Sequence, residues 1–291
     1  MGEQIRKALW VVALGAIFLW ANFPAVSGAT STPDLFKELK ERLVRDGFDK
    51  AAIDKLYAEP GVNFEVDAVS LFFIHNEASL DYGQFSKPEP VKRARAYMKR
   101  HKAVLDKAQT AYGVDKEVIT AILLVETQLG KYVGRSVVIN TLSTMAALSD
   151  AKARDTLYRK MPKEKRMDSR DYEKKARAKA GWAYKELKAL IEHADAQGMD
   201  PVAIKGSYAG AMGLAQFLPS NAIKLGVDGN GNGRVDLFED DDAIFSIAYY
   251  LKYHGWKKGI SKSKAHRVIR HYNNSTYYAD AVLAVADQLR K

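Results

Sequence analysis

The sequence has 291 residues, 47% hydrophobic and 27% charged, a balance typical of an ordinary globular protein with a sizeable core. It contains no cysteine, which excludes disulfides, thiolate metal sites and the acceptor for the N-terminal lipid of a bacterial lipoprotein. The formal net charge of +10 suits an anionic partner, and charge alone does not choose among wall polymer, lipid headgroups and nucleic acid.

The first residues have the pattern of a secretory signal peptide. Arg6 and Lys7 precede an uncharged apolar run at 8–21, and small residues at 27–29 offer a cleavage site. The run is shorter than the ~20 residues of a membrane-spanning helix, so we favour cleavage over an uncleaved anchor. We therefore expect a signal peptide at 1–29 and a mature periplasmic protein that is not a lipoprotein and has no transmembrane anchor.

Helical patterns dominate the first third of the mature chain. Apolar residues at helical spacing cover 33–59, with a break at 46–47, and Pro-Gly at 60–61 predicts a turn. The stretch 64–85 is mixed, and its periodicity does not distinguish a strand from a packed segment. Two prolines then open a long basic amphipathic helix predicted over 88–112.

The next predicted helix ends in a single carboxylate, Glu126. Asp115 is suited to be its N-cap. Its apolar residues recur at the helical period: Val118, Ile122, Val125 and Leu129. An unpaired buried carboxylate is too costly to keep ionised, so Glu126 either has a raised pKa, as a proton donor needs, or surfaces and pairs with Lys131 or Arg135. The residues alone leave both alternatives open.

Most of the excess positive charge lies in one block. Residues 151–180 contain twelve Lys or Arg and five Asp or Glu, a net charge of +7. Such a run is usually a solvated helical face, and the alternative is a rim that attracts a polyanion. Helical spacing resumes at 182–191.

A stretch rich in small residues follows at 205–220. Glycine and alanine at this density allow a backbone to approach another helix or a ligand closely, and both interpretations stay open. Gln216 supplies the one amide of the stretch, and Ser207 and Tyr208 supply hydroxyls.

Residues 228–239 match the twelve-residue calcium loop, with oxygen side chains at the first, third, fifth and ninth places and glycine at the sixth. The predicted ligand positions are Asp228, Asn230, Asn232, Arg234, Asp236 and Glu239, with Asp242 as a replacement or supplement. Since two of them are Asn, we expect weak binding, in the ~0.1–1 mM range of extracellular modules. The alternative is a turn rich in Asn, Asp and Gly that binds no ion.

The C-terminal third is again helical. A helix is predicted over 243–255, and a basic helix then reaches His271. A break at 272–275 precedes the closing helix, which runs to Lys291. Tyrosines at helical spacing in this part are more often core residues than sugar-stacking ones.

Together these segments resemble the membrane-bound lytic murein transglycosylase B family of the soluble-lytic-transglycosylase superfamily. The matching motifs, in the family's order, are Leu80-Asp81-Tyr82 with Phe85, Pro88-Glu89, Tyr112-Gly113-Val114, Glu126-Thr127 with Leu129-Gly130, 206–213 with Gln216-Phe217 and Pro219-Ser220, the calcium loop, His254-Gly255-Trp256 and 272–275. The resemblance implies a mostly α-helical protein with a lysozyme-like catalytic core at 101–291, an additional N-terminal helical region at 30–100 packed on it, and the EF-hand-like loop.

The resemblance also implies an activity and a set of site residues. Members of the family have one catalytic glutamate, here Glu126, and cleave the β-1,4 bond between N-acetylmuramic acid and N-acetylglucosamine in peptidoglycan. They do so without water, leaving a 1,6-anhydro-muramoyl end. The positions that match substrate-binding residues are Ser207, Tyr208, Gln216, Tyr272 and Asn273.

Two alternatives remain beside this interpretation: a hydrolytic muramidase, which needs a second carboxylate, and a non-catalytic wall-binding or assembly protein. We expect peptidoglycan glycan strands as the partner, with cell-wall synthesis or division proteins as further candidates and no nucleic acid. Calcium is expected as a structural ion, with no organic cofactor. The basic block at 151–180 does not map onto the family pattern.

Overall fold

The structure, a computed structural model, describes residues 34–74 and 81–291. The predicted signal peptide and the motif residue Leu80 lie outside the described residues. The described α-helices are α1 (Lys37–Arg45), α2 (Lys50–Ala58), α3 (Val66–Ile74), α4 (Pro88–Arg100), α5 (Lys102–Tyr112), α6 (Lys116–Thr127), α7 (Val138–Ala147), α8 (Ala151–Lys160), α9 (Ser169–Gln197), α10 (Pro219–Leu225), α11 (Asp240–Tyr253), α12 (Lys262–Tyr272) and α13 (Thr276–Leu289). Two 3₁₀ helices span Tyr82–Ser86 and Lys163–Lys165, and strand β1 (Ser136–Val137) pairs antiparallel with β2 (Lys205–Gly206). The protein is therefore mostly α-helical, as the sequence predicts.

The ambiguous stretch at 64–85 contains a helix rather than a strand. In α3, the buried residues Val69 and Phe73 are four positions apart, so they share one face. This face packs toward α7 and α8. Across the same junction, the Tyr57 hydroxyl lies 2.8 Å from Ser143 Oγ, which ties α2 to α7.

The prediction of a single helix over 88–112 is wrong, because the helix breaks at His101. His101 has φ −100° and ψ 23°, and the chain restarts there as α5. Its ring stacks on buried Tyr97 at 4.2 Å, and the Tyr97 hydroxyl donates to Asp240 Oδ1 at 2.5 Å. Helix α4 packs on α6 and α13, and α5 packs on α6 and α11, so the break lets the two halves follow different neighbours.

Helix α6 is buried on nearly every side and packs against α13, α4, α5 and α11. Asp115 stands at its N-cap position, but its side chain makes no capping hydrogen bond. Instead, Asp115 Oδ2 lies 3.7 Å from Arg290 Nη2 at the end of α13. The helix is therefore set by burial of its apolar residues rather than by its cap.

The basic block at 151–180 comprises α8, the second 3₁₀ helix and the first part of α9. Asp168 caps α9 by accepting from the backbone N–H groups of Arg170 and Asp171. Further along, α9 packs on α7 and α10, so only its first turns and outer face project their charges into solvent.

One hydrophobic cluster extends from Phe36 to Leu289 and takes residues from both sides of the boundary predicted near residue 100. The segment predicted as an N-terminal helical region thus shares the core of the rest. Within the described ranges, no helix combines the length and the apolarity needed to cross a membrane.

Candidate active site

Glu126 lies in the last turn of α6 and is half-buried, whereas Leu123 and Leu124 in the same turn are fully buried. Its side chain borders a cleft of about 350 Å³. The residues lining this cleft are Asp81, Tyr82, Gln84, Phe85, Val125, Glu126, Tyr208, Asn273 and Tyr278. The long apolar helix therefore delivers one carboxyl group to a cavity bordered by aromatic and polar side chains.

Tyr278 is the partner of the Glu126 carboxyl group. Its hydroxyl donates to Glu126 Oε1 at 2.6 Å, across 152 residues of sequence. Burial, and then the charge of Glu126, raise the pKa of Tyr278 well above its usual range. Tyr278 is therefore a neutral hydrogen-bond donor at any physiological pH, and it fixes the rotation of the carboxyl group.

Thr127, the next residue, fastens the end of α6 to the opposite wall. Its buried Oγ1 lies 3.1 Å from the carbonyl oxygen of Leu214 and 3.3 Å from that of Leu123, and it accepts from Gly130 N at 3.0 Å. Beyond it, Gln128 and Leu129 have positive φ angles of 51° and 65°. The chain thus turns sharply away directly after the glutamate, at a conformational cost that the surrounding contacts offset.

The small residues of 205–220 allow the chain to fold tightly on itself. A Cβ atom on Gly206 would lie 2.1 Å from the carbonyl oxygen of Ala211. One on Gly213, whose φ is 73°, would lie 2.5 Å from Leu237. The close approach is therefore between backbone segments of one wall, and the stretch is not a helix crossing.

Ser207 and Gln216 hold this wall in shape. Ser207 Oγ accepts from the backbone N–H groups of Ala209 and Ala211 at 3.2 and 3.1 Å. Gln216 Nε2 donates to the carbonyl oxygens of Val133 and Gly213 at 3.1 and 3.0 Å. Both residues line a second cleft. Their substrate-binding role stays a prediction.

The second cleft has a volume of about 740 Å³ and adjoins the first through Tyr208, which lines both. Its other side carries Lys131 and Arg135, both exposed. A third cleft, of about 330 Å³, shares Asp81 and Tyr82 with the first. Glu126 therefore borders the middle one of three adjoining clefts, which suits an extended ligand better than a compact one.

Tyr272 and Asn273, adjacent in sequence, take different positions. Asn273 lines the cleft of Glu126. Tyr272 donates its hydroxyl to the carbonyl oxygen of Ala215, and its ring packs 5.7 Å from that of Phe217 and stacks 6.4 Å from that of Tyr278. Burial raises the pKa of Tyr272 well above its usual range. Tyr272 thus supports the wall behind Tyr278, and direct substrate contact by it stays a prediction.

The sequence pattern did not single out Tyr278, nor did it place the segment of Asp81 and Tyr82 in the site. The motif around Leu80 marked that segment as part of the resemblance without giving it a role. A signal for Tyr278 does exist: Ser275 accepts from Tyr278 N at 3.3 Å as the N-cap of α13. After a helix break, a Ser indicates the N-cap of the next helix, and a Tyr three residues later then lies in the first turn of that helix.

The loop at 228–239 is closed by its own short side chains. Asp228 Oδ1 accepts from the N–H groups of Gly231 and Asn232 at 2.6 and 3.1 Å, and Oδ2 accepts from Gly233 at 2.7 Å. The Asn230 and Asn232 side-chain oxygens each accept from the N–H two residues on, both at 2.9 Å. The oxygen donors are hard and lie on one short loop, which is the chemistry calcium prefers.

Asp242 holds the two arms of this loop together. Its Oδ1 accepts from Gly229 N at 2.8 Å and its Oδ2 from Asp236 N at 2.7 Å, and the side chain is fully buried. Burial raises the pKa of this carboxyl group. Among the described residues, no three His, Cys, Asp or Glu side chains are grouped so as to hold a metal ion. In the structure, Asp242 therefore holds the two arms of the loop together through hydrogen bonds. The set of calcium ligands stays a prediction.

Comparison with known proteins identifies a family whose sequence pattern this chain matches. The profile of the transglycosylase SLT domain matches residues 31–262. The chain is 32% identical over 185 residues to membrane-bound lytic murein transglycosylase B of Escherichia coli K12, covering 63% of this chain and 44% of that protein. The chain therefore spans less than half the length of this curated relative.

Solved structures show the same fold. Soluble lytic transglycosylase SltB1 from Pseudomonas aeruginosa is 25% identical with a TM-score of 0.71, over 88% of this chain and 98% of that one. Escherichia coli Slt35 in complex with calcium is 23% identical with a TM-score of 0.70, over 91% of this chain and 96% of that one. Pseudomonas aeruginosa SltB3 in complex with NAG-NAM-pentapeptide has 21% identity and a TM-score of 0.69, over 89% and 80%.

Proposed function

The chain belongs to the transglycosylase SLT domain family, and on that premise we propose that it is a peptidoglycan lytic transglycosylase. One observation carries the proposal: Glu126, with its carboxyl group oriented by Tyr278, lies in the middle of three adjoining clefts. The family relatives supply the substrate class, since their names identify them as lytic murein transglycosylases. The proposed bond is the β-1,4 linkage from N-acetylmuramic acid to N-acetylglucosamine.

A single carboxyl group is sufficient for this reaction because the substrate supplies the other parts. Most glycosidases need two carboxylates, about 5–5.5 Å apart when retaining and ~6.5–9.5 Å apart when inverting. Here Glu126 gives its proton to the leaving glycosidic oxygen as the C1–O bond breaks, and the N-acetyl carbonyl of the sugar stabilises the anomeric carbon. The carboxylate then takes the proton of the sugar's own C6 hydroxyl as that oxygen bonds to C1. The product is a 1,6-anhydro end, and Glu126 regains its proton.

The cleft wall keeps Glu126 in position for both proton transfers. The Tyr278 hydroxyl holds one carboxyl oxygen, and Thr127 fixes the turn of helix that carries the glutamate. Correct orientation of an acid toward the leaving oxygen contributes substantially to the rate, because a misplaced group loses the proton-transfer geometry.

Mass spectrometry of muropeptides released from purified sacculi tests the proposal, beside a Glu126→Gln variant of the same chain. We expect products one water lighter than hydrolysis products, and a loss of roughly 10³-fold in rate for the variant. An unchanged melting temperature of the variant shows that only the acid was removed. Full activity of Glu126→Gln would refute the acid assignment, and no release by either protein would favour a non-catalytic wall-binding protein.

A hydrolytic muramidase is the second candidate, because Asp81 also lines the cleft of Glu126 and is exposed. A water-activating base on the far side of the bond is what hydrolysis adds to the single-acid mechanism. An Asp81→Asn variant discriminates between the two. Hydrolysis predicts reducing-end products that this variant loses, whereas the transglycosylase proposal predicts anhydro products that it keeps.

We also propose that the loop at 228–239 binds calcium weakly and structurally. The supporting observations are its hard oxygen donors and the calcium complex of Slt35. The residues that would hold the ion are Asp228, Asn230, Asn232, Asp236, Glu239 and the carbonyl of Arg234. The ion would tie down the segment between Gln216 and α11. Chelation should lower the melting temperature and millimolar calcium should restore it, with magnesium as the control; no shift in either step would refute the site.

The remaining expectations concern location. We propose that 1–29 is a cleaved signal peptide and that the mature chain works in the periplasm, where its polymer substrate lies. The support is the charged, apolar and small-residue order of that segment. Mass spectrometry of the mature N-terminus from a periplasmic fraction tests it, and an intact residue 1 in the membrane fraction would contradict it.

A further inference from the structure

The basic block at 151–180 has no part in the proposed chemistry, and only some of its charges are used by the fold. Arg154 is buried and donates to the carbonyl oxygens of Leu148 and Ser149. Arg177 pairs with Glu173 at 2.8 Å. Arg159 and Arg166 also make such contacts, so the fold engages four of the five arginines of the block.

Three other basic side chains form a stripe on the outer face of α9. Arg170, Lys174 and Lys185 are exposed, and at 100° per residue they fall within about 60° of one another around the helix axis. Within the described ranges none of them makes an ion pair. We call these three residues the cationic stripe.

The neighbouring face of α9 connects the cationic stripe to α3. Lys175 Nζ donates to the carbonyl oxygen of Phe73 at 3.2 Å. Trp182 stacks on Phe72 with ring centroids 6.0 Å apart, and Lys179 Nζ lies 5.5 and 5.6 Å from the two rings. Two lysines of α9, Lys175 and Lys179, therefore pack at its junction with α3.

From α3 the basic surface continues into the substrate clefts. Leu71, beside Phe72, is 47% exposed and lines the second cleft together with Lys131 and Arg135. None of the described residues lining that cleft is acidic. Contacts therefore link the second cleft, through Leu71 and its neighbour Phe72 in α3, to α9, the helix that carries the cationic stripe.

This continuity suggests a partner. Peptidoglycan is a polymer whose strands extend beyond any cleft, and its stem peptides carry free carboxylates. A lipid surface is disfavoured, because interfacial binding needs apolar side chains that enter the lipid. Among the described residues of α9, no large apolar side chain is exposed beside the cationic stripe.

We propose that the cationic stripe is an accessory peptidoglycan-binding surface, which holds the carboxylates of stem peptides outside the catalytic clefts. The proposal rests on the proposed function, since it takes the same polymer as its ligand. The stripe would raise the local concentration of strands at the clefts without touching the bond that is cleaved. Its contribution should weaken as salt rises, because the contacts are between exposed charges.

The test uses full-length protein with Glu126→Gln, so that the sacculi are not consumed. One set of three substitutions removes the stripe: Arg170→Gln, Lys174→Gln and Lys185→Gln. A control set removes three charges from exposed lysines after α11 and in α12: Lys257→Gln, Lys258→Gln and Lys264→Gln. These lysines form no ion pair with any described residue. Binding is measured by co-sedimentation with purified sacculi over a range of salt concentrations.

We expect the stripe variant to bind sacculi about tenfold more weakly at low salt, with a shallower dependence on salt, and the control variant to bind as the parent does. In the otherwise wild-type chain, the stripe variant should cleave a short soluble glycan fragment at the parental rate and sacculi more slowly. Equal losses in the stripe and control variants, or unchanged binding, would overturn the proposal.

Two further outcomes separate this proposal from its alternatives. Loss of binding to phosphatidylglycerol vesicles with unchanged binding to sacculi would identify a lipid-binding surface instead and overturn it. Failure of the wild-type chain to release anhydro products would refute the proposed function, and the co-sedimentation result would still decide whether the stripe binds the polymer.

Discussion

The end of α6 and the loop at 228–239 both gather polar groups, but the chain holds them by different means. Glu126 meets Tyr278 across 152 residues, and Thr127 meets Leu214 across 87. The hydrogen bonds of Asp242, by contrast, reach no further than 13 residues. The active-site geometry therefore depends on how distant helices pack, whereas the loop is shaped mainly by bonds within its own segment, although Val235 N also donates to Gln197 Oε1, 38 residues away.

The strongest test of this contrast is Tyr278→Phe, which removes the long-range donor to Glu126 and leaves the ring in place. We expect kcat to fall about 10- to 100-fold with little change in KM, because the carboxyl group loses the bond that orients it. Kinetics on a soluble muropeptide measure this. Tyr253→Phe, at an exposed tyrosine, is the control. A kcat within about twofold of the wild type would show that Tyr278 does not orient the acid.

Thr127→Val tests the second long-range contact. The substitution keeps the shape of the side chain but leaves the Leu214 carbonyl and the Gly130 N–H without their partner, so the free energy of unfolding should fall by about 1–3 kcal/mol. A several-fold loss of kcat should accompany it, since the end of α6 is no longer fastened. Urea denaturation and kinetics measure the two effects. Thr127→Ser retains the hydroxyl and should recover both; a Ser variant as impaired as Val would rule out the hydroxyl as the cause.

The sequence predicts local features well in both regions. The helix that ends in Glu126 follows from apolar residues at the helical period, and the loop follows from oxygen side chains and glycines at fixed places. Both signals lie within a dozen residues of chain, where geometry follows directly from spacing. The family resemblance then predicts a role for individual residues in these segments, although it does not predict which other residues they contact.

What the sequence does not predict are consequences of packing. The chain around His101 has no helix-breaking residue, and the break accompanies the packing of α4 on α13 and of α5 on α11, with Tyr97 bonded to Asp240. Similarly, nothing near Tyr278 indicates that its hydroxyl meets Glu126, and nothing near Tyr272 indicates that its hydroxyl is used by Ala215. Each depends on two segments that are far apart in the chain.

Asp242→Asn tests the local side of the contrast. Asparagine replaces one carboxylate oxygen by an N–H group that would face a backbone donor, so we expect the free energy of unfolding to fall by about 1–2 kcal/mol. Because the damage is confined to the loop, kcat at 25 °C should change less than about twofold. Asp241→Asn, at the neighbouring acidic residue, is the matched control. A large loss of kcat with an unchanged melting temperature would mean that the loop communicates with the site directly.

The smallest expected effect is a change of stability with pH. It arises in the wall behind the active site rather than in the loop. The His254 ring stacks on His271 at 4.5 Å and packs against Tyr250, whose ring contacts Tyr272. Burial, and then the charges of His271 and Lys224, lower the pKa of His254 below its ordinary value of 6.5.

The direction of the pH effect on stability depends on whether the folded or the unfolded protein binds the proton first. Well above pH 6.5, His254 is neutral in the folded and in the unfolded protein, and its contribution to stability is complete. As the pH falls, the unfolded chain is protonated first, because its His254 has the higher pKa. Stability is therefore lost until the pH reaches the pKa of the folded state. We expect the melting temperature to fall between pH 7.5 and 5 on this account. His254→Gln should flatten that part of the profile, leaving the part due to buried His193, whose pKa is lowered as well. An identical pH profile for the variant would show that the stacked pair does not couple protonation to this wall.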